Sequence, residues 1–174
     1  VDEAGLHEIV DSVDDVVATV NACRVAGIAI VPFGLGSGVC GGVRAHVDRV
    51  LLDMSSLNRT RGIDRINLLA SFDAGKRGSD AEDEVAKAGL TIGHWPQSVA
   101  VSSVGGWVAT RASGQFSTAN GNIEDIVYSI EAVLADGSVL NAGKAPRASA
   151  GPDLRHLLLG SEGTLGVITG VTLS

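Results

Sequence analysis

The apolar run at residues 28–33, Ile-Ala-Ile-Val-Pro-Phe, which leads straight into Gly34-Leu35-Gly36-Ser37-Gly38-Val39-Cys40-Gly41-Gly42, constrains the fold more than any other feature. A short, continuous apolar run of this kind predicts a strand buried on both faces of a parallel sheet. The residues before it supply the crossover. Ser12 with Asp15 three positions on forms a capping-box pattern, Asp14 and Asp15 suit the positive end of a helix dipole, and Val13, Val16, Val17 and Val20 fall at i, i+3, i+4 and i+7. Gly27 ends that helix. With a strand predicted over residues 6–10, residues 6–33 read as one βαβ unit.

A strand that feeds a glycine loop signals phosphate binding, and the loop contains a literal G-x-G-x-x-G from Gly36 to Gly41. In a nicotinamide-binding fold the last glycine opens a crossover helix. Here only residues 43–49 separate the loop from the next apolar run at residues 50–52, whereas a parallel crossover takes a dozen residues or more. A nicotinamide site is therefore disfavoured, and Asp53 reads as a turn residue at a strand end. The second unusual stretch is residues 93–125. Gly105-Gly106 allows close backbone approach, Ser102, Ser103, Thr110 and Ser113 supply hydroxyls, and a helix starting at Val104 or Gly105 would aim its first N–H groups at an anion. Arg111 is the best-placed cation for a phosphate or carboxylate, with pairing to Glu124 or Asp125 as an equal alternative. His7, His46, His94 and His156 lack metal-ligand spacing. His94 is expected to be a hydrogen-bonded structural residue and Cys40 a small packed one.

Composition limits the partners. The 174 residues carry a formal charge of -7, which argues against nucleic acid, and the two cysteines match neither a disulfide framework nor a zinc motif, so a reducing, cytoplasmic setting is expected. No apolar run approaches a membrane span. Further along, residues 63–74 read as strand around a turn at Asp64 and Asn67. Ser79 with Glu82 forms a second capping-box pattern, for a helix over residues 80–88 closed by Gly89, with Asp80, Glu82, Asp83 and Glu84 on a solvated face. Asp136-Gly137 predicts a type I′ hairpin between residues 126–134 and 139–140. Leu154, Leu157 and Leu158 mark a short helix, and residues 166–173 the last strand. The fold class is α+β: a small parallel βαβ lobe over residues 1–60, a larger, mainly antiparallel lobe over residues 61–174, and three glycine-rich segments at the junction.

Five motifs then occur in order: Pro32-Phe33-Gly34-Leu35-Gly36-Ser37-Gly38; Pro96-Gln97-Ser98 leading to Ser103-Val104-Gly105-Gly106-Trp107; Thr110-Arg111-Ala112-Ser113-Gly114; Gly121-Asn122-Ile123-Glu124-Asp125; and Gly160-Ser161-Glu162-Gly163-Thr164-Leu165-Gly166-Val167-Ile168-Thr169. Together they resemble the PCMH-type FAD-binding domain of the vanillyl-alcohol oxidase and p-cresol methylhydroxylase superfamily. Thr110 to Gly114, and the stretch from Ala145-Pro146-Arg147 to Gly151-Pro152-Asp153, look most like its alkyldihydroxyacetonephosphate synthase branch.

The resemblance implies FAD as cofactor. The pyrophosphate would be wrapped by Gly34, Leu35, Gly36, Ser37, Gly38 and Val39, next to Pro32 and Phe33. Pro96, Gln97, Ser98, Ser102, Ser103, Gly105, Gly106, Thr110, Arg111, Ala112 and Ser113 would serve the pyrophosphate and flavin side, and Glu162, Gly163, Thr164, Gly166, Val167 and Ile168 the adenosine end. Relatives that attach flavin through the first loop place a His near the position of Ser37, so non-covalent binding is implied. The chemistry implied is either FAD-linked oxidation of a small hydroxylated substrate or ether-forming alkyl transfer through a flavin adduct, with a non-catalytic flavin-fold module as the alternative. A substrate domain outside these 174 residues and a homodimer of the full-length enzyme are also implied. Leu35 stands where relatives carry Gly, at a cost of roughly 1–2 kcal/mol if that position is left-handed. Asn120 stands where they often carry Tyr, and Ala81 where they carry Leu.

Overall fold

A computed structural model describes residues 6–44, 46–143, 145 and 151–174. Chain order is β1 (Leu6–Ile9), α1 (Val13–Ala26), β2 (Ala29–Phe33), β3 (Arg49–Asp53), β4 (Thr60–Asp64), β5 (Leu69–Asp73), α2 (Gly78–Lys87), α3 (Val104–Thr110), α4 (Ser117–Asn120), α5 (Ile123–Ile126), β6 (Val127–Val133), β7 (Val139–Ala142), α6 (Arg155–Leu158) and β8 (Val167–Leu173). A three-stranded parallel sheet has the order β1-β3-β2, and a five-stranded antiparallel sheet the order β4-β5-β8-β6-β7. This is the α+β, PCMH-type architecture expected.

The first helix forms as its residues dictate. Ser12 Oγ accepts from Asp15 N–H, and Gly27 closes the helix in the left-handed conformation at φ 69°. Val16, Val20 and Cys23 face inward. β2, however, is not buried on both faces. Each of its residues is at least partly exposed, because β3 takes the centre of the sheet and leaves β2 on an edge. Pro32 suits that place, since it has no N–H to give to a second neighbour. The parallel connection from β2 to β3 is made by irregular chain without a helix. Asp53 does end its strand as a turn residue, with Oδ1 accepting from Ser55 N–H at 2.8 Å.

Three local expectations need correction. Helix α2 starts at Gly78 without a side-chain cap, because the 99–102 turn caps it with backbone: Gly78 N–H donates to Ser102 O and Ser79 N–H to Val99 O. Glu82 instead reaches past the helix end, accepting from Thr91 Oγ1 at 2.5 Å and Ile92 N–H at 3.0 Å, and Glu84 pairs with Lys76 and Thr60, so the acidic run is only partly a solvated face. In the β6–β7 hairpin only Gly137 is left-handed (φ 84°). Gly137 N–H donates to Leu134 O and Leu134 N–H to Ser138 O, which is a three-residue loop with a type I turn and a glycine bulge, not a type I′ turn.

The larger core lies between the five-stranded sheet and the helices packed on it, with Phe72, Val104, Trp107, Ile123, Ile130 and Val171 fully or nearly fully buried. A smaller cluster links the sheets. Val16 and Val20 of α1 and Leu52 of β3 meet Val133 of β6 and Val167 of β8. At the far end, the fully buried Asp73 carboxylate takes Arg61 Nε at 2.6 Å and Arg59 Nε at 3.1 Å, and Arg61 continues to Glu131 at 2.9 Å.

Candidate cofactor site

Segments far apart in sequence meet around α3. At its start Ser103 caps the helix, Oγ accepting from Gly106 N–H at 3.2 Å. Gly34 of the first loop lies against that hydroxyl, and a Cβ there would sit 2.5 Å from Ser103 Oγ. At the other end of the helix, Gly160 and Glu162 N–H donate to Val108 and Ala109 carbonyls, each at 3.0 Å. Gly163 packs on the Pro32 ring, where a Cβ would approach to 2.9 Å, so the last glycine loop touches the end of β2. Along the helix flank the His94 ring stands edge-on to Trp107, with centroids 4.9 Å apart, and Gln115 N–H donates to Trp95 O at 2.8 Å. The three glycine-rich segments are thus brought together by one seven-residue helix.

What these segments can bind follows from which donors are already used. Among the described residues, no peptide N–H from residue 34 to residue 40 donates to another group of the chain. This is a run of unsatisfied donors on a half-exposed to exposed loop, and it needs an acceptor from solvent or a ligand. Gly36 takes the left-handed turn at φ 71°, whereas Leu35 is not left-handed and so carries no such strain. Helix α3 is the opposite case. It starts at Val104, as expected, but its first N–H groups are spent on Lys76 O, Ala74 O and Ser103 Oγ, so its N-terminus offers an anion little. Gly105 is a packing glycine, since a Cβ would lie 2.8 Å from Ala74 O.

The hydroxyls divide in the same way. Ser102 Oγ accepts from Trp107 Nε1 at 2.8 Å, Thr110 Oγ1 donates to Gly106 O at 2.8 Å, Ser113 Oγ to Asn122 Oδ1 at 2.7 Å, and Thr164 Oγ1 to Ser161 O at 2.6 Å. The side chains of Ser37, Gln97 and Ser98 are uncommitted among the described residues. Arg111 closes α3 in the left-handed region (φ 54°) and pairs with neither Glu124 nor Asp125, whose carboxylate accepts from Asn122 N–H at 2.8 Å. Its guanidinium is free for an anion.

A donor-lined glycine loop and an arginine without a partner among the described residues fit a diphosphate-bearing cofactor. A family model described as an FAD binding domain matches residues 8–143. The chain belongs to the FAD binding domain family. It is 42% identical over 164 residues to the uncharacterized FAD-linked oxidoreductase YgcU of Escherichia coli K12, covering 94% of this chain and 33% of that protein. It is 37% identical over 163 residues to alkyldihydroxyacetonephosphate synthase of Caenorhabditis elegans, covering 91% and 27%. A solved alkyldihydroxyacetonephosphate synthase superposes with a TM-score of 0.86 at 33% identity over 96% of this chain and 30% of that one. The chain therefore spans about a third of the length of these relatives.

FAD is the cofactor of this FAD binding domain, and the residues present fit it. At the end of β2, a cavity of about 290 Å³ is lined by Pro32, Gly163 and Val167 together with Val20, Cys23 and Val133, the last three not among the expected site residues. Val20 of α1 and Val133 of β6 belong to the small core. A more apolar groove of about 500 Å³, beside the β4–β5 hairpin and the end of α2, contains none of the expected site residues. Two further expectations resolve differently. Cys40 is exposed, not packed. His94 is buried, but neither ring nitrogen has a hydrogen-bond partner. Asn120, in the usual place of Tyr, ties Gly93 O with its amide at 3.1 Å. Pro146 and Arg147 lie outside the described residues.

Proposed function

We propose that residues 34–39 hold the FAD pyrophosphate through peptide N–H groups. Residues 96–98, Ser103, Gly106 and residues 110–113 face the flavin side, and residues 162–168 run along the adenosine end. The observation that carries this is the unbroken set of unused N–H donors from residue 34 to residue 40, held against the cap of α3. Gln97, Ser98 and Arg111 add polar side chains uncommitted among the described residues, and Gly163 packs on Pro32.

FAD supplies two-electron redox chemistry when bound. The residues of this domain bind and orient it, and Ser37 offers no imidazole for a covalent link, so attachment is non-covalent. The full-length protein is an FAD-linked enzyme that either oxidises a small hydroxylated substrate such as a 2-hydroxy acid or performs ether-forming alkyl transfer. Its substrate is held by a second domain, it works in a reducing compartment, and it assembles as a homodimer. The non-catalytic alternative rested on Leu35 spoiling the loop, and the ordinary backbone of Leu35 removes that ground.

The test is the visible spectrum of the purified protein, followed by acid precipitation. Flavin absorbance that moves entirely into the supernatant supports the reading. A colourless protein that takes up no FAD on titration sinks it.

A further inference from the structure

Gly75 is buried and its backbone is not left-handed, so what it needs is space. A Cβ there would stand 1.9 Å from Met54 O and 2.8 Å from Leu57 O, the closest approach among the described glycines. Its N–H donates to Leu57 O at 2.8 Å. The turn after β3 therefore lies directly on the turn after β5, backbone against backbone. Both turns reach the proposed cofactor side. Met54 N–H donates to Phe33 O at 2.9 Å, which ties the first turn to the residue that opens into the glycine loop. On either side of Gly75, the carbonyls of Ala74 and Lys76 accept from Gly105 and Val104 N–H at 2.8 and 2.9 Å, which fixes the start of α3. The circuit closes where Gly34 lies against Ser103 Oγ, the cap of that helix. Carbon and carbonyl oxygen rest no closer than about 3.3 Å, so a side chain at position 75 forces Met54 O back by about 1.4 Å. Met54 and Leu57 are themselves packed in the small core, so the turn does not yield alone but carries the end of β2 with it.

We infer that Gly75 is a positioning residue for the cofactor: by seating the 54–57 turn on the 74–76 turn, it sets the distance between the first glycine loop and the α3 side of the site. This rests on the FAD reading. A ligand that spans both sides binds best across a preset gap, so widening the gap costs affinity even in a molecule that stays folded. A glycine that served packing alone would change stability and leave the affinity of the folded molecule as it was.

The experiment compares Gly75→Ala in the 174-residue chain with Val85→Ala, a truncation in the large core beside the groove that contains none of the expected site residues. FAD affinity is read by flavin fluorescence titration at a temperature where near-ultraviolet circular dichroism shows each variant folded, and melting of the unliganded protein is followed separately. Both variants should melt below the parent. Gly75→Ala should weaken FAD binding about tenfold or more, and Val85→Ala should stay within about twofold. Asp53 offers a second handle on the same turn, which its Oδ1 holds by accepting from Ser55 N–H at 2.8 Å. Asp53→Ala, which releases the turn without adding an atom, should weaken FAD binding severalfold, and Asp53→Asn, which keeps the acceptor, should match the parent. Parent-like affinity in Gly75→Ala, or an equal loss in Val85→Ala, overturns the positioning role while leaving the FAD reading intact. Failure of the parent chain to bind FAD overturns both. If Gly75→Ala does not fold, the Asp53 pair decides alone: loss in the alanine variant with retention in the asparagine variant supports the role, and equal behaviour of the two overturns it.

Discussion

His94 and Asp73 are buried titratable groups with shifted pKa values, and they act in different pH windows. Burial lowers the His94 pKa from 6.5 to about 4, against a smaller opposing pull from Glu124. The unfolded chain therefore binds more protons than the folded one between those values, and stability falls as pH drops from about 6.5 to 4, by up to about 3 kcal/mol. Melting curves of the unliganded protein at pH 7, 5.5 and 4 should show this loss, and His94→Phe should flatten it. Burial pushes the Asp73 carboxyl up, but hydrogen bonds from Arg61 and Arg59 outweigh it and leave the pKa below 3.8. Its contribution is present above the ordinary carboxylate pKa and is lost as pH falls through its own, lower value. Asp73→Asn should cost about 1–3 kcal/mol at pH 7 in urea unfolding, because it removes the buried carboxylate that Arg59 and Arg61 share and leaves Arg61 only its bonds to Glu131 and Thr169 O. Neither role was legible in the sequence. Arg59 and Arg61 reach Asp73 only across the β4–β5 hairpin, and nothing local tells a partnered histidine from an orphaned one.

At the scale of elements, α3 shows what two adjacent glycines can mean. Gly106→Ala should be tolerated or slightly stabilising, since its Cβ would meet only Ser103 Oγ, at 3.0 Å, and alanine is the better helix former. Gly105→Ala should destabilise by about 1–3 kcal/mol, because its Cβ would press on the Ala74 backbone, which cannot move aside. Thermal melts of the two variants side by side check the difference, and equal behaviour would contradict the packing role. Helix α1 and the positions of the two turns were legible because Ser12, Gly27, Asp64 and Gly137 act on their immediate neighbours. The edge position of β2 was not, because the strand that takes the centre arrives 15 residues later, after a loop with no helical period. The site was legible as segments, through glycine and hydroxyl content. Which N–H groups are free was hidden, since it depends on carbonyls of Ala74 and Lys76 supplied by the chain before α2.

For the whole molecule, the free donors of the first loop and the family membership lead to ligand choice. FAD should raise the melting temperature and NAD at equal concentration should not. Stabilisation by NAD alone would falsify the assignment. With FAD bound, these 174 residues should be reduced by dithionite and reoxidised by oxygen, yet turn over neither 2-hydroxy acids nor acyl-dihydroxyacetone phosphate at rates ordinary for an enzyme, on the order of 1 per second. The groups described here hold a cofactor, and no acid–base cluster remains among the described residues to act on a substrate.

The strand order has a consequence for how the protein is made. β8 lies between β5 and β6, and of the strands described in its sheet it is the last to leave the ribosome. The parallel sheet is complete once Asp53 has emerged, but β5 and β6 must wait for a partner that begins at Val167. At ordinary synthesis speeds the inner edge of β5, which includes Phe72, stays unpaired for roughly 5–20 s. Open strand edges recruit other chains. Newly made chains stalled before β8 should therefore bind holdase chaperones, and chains released after it should not, a contrast that ribosome-arrested fragments ending at residues 160 and 174 plus a linker would display.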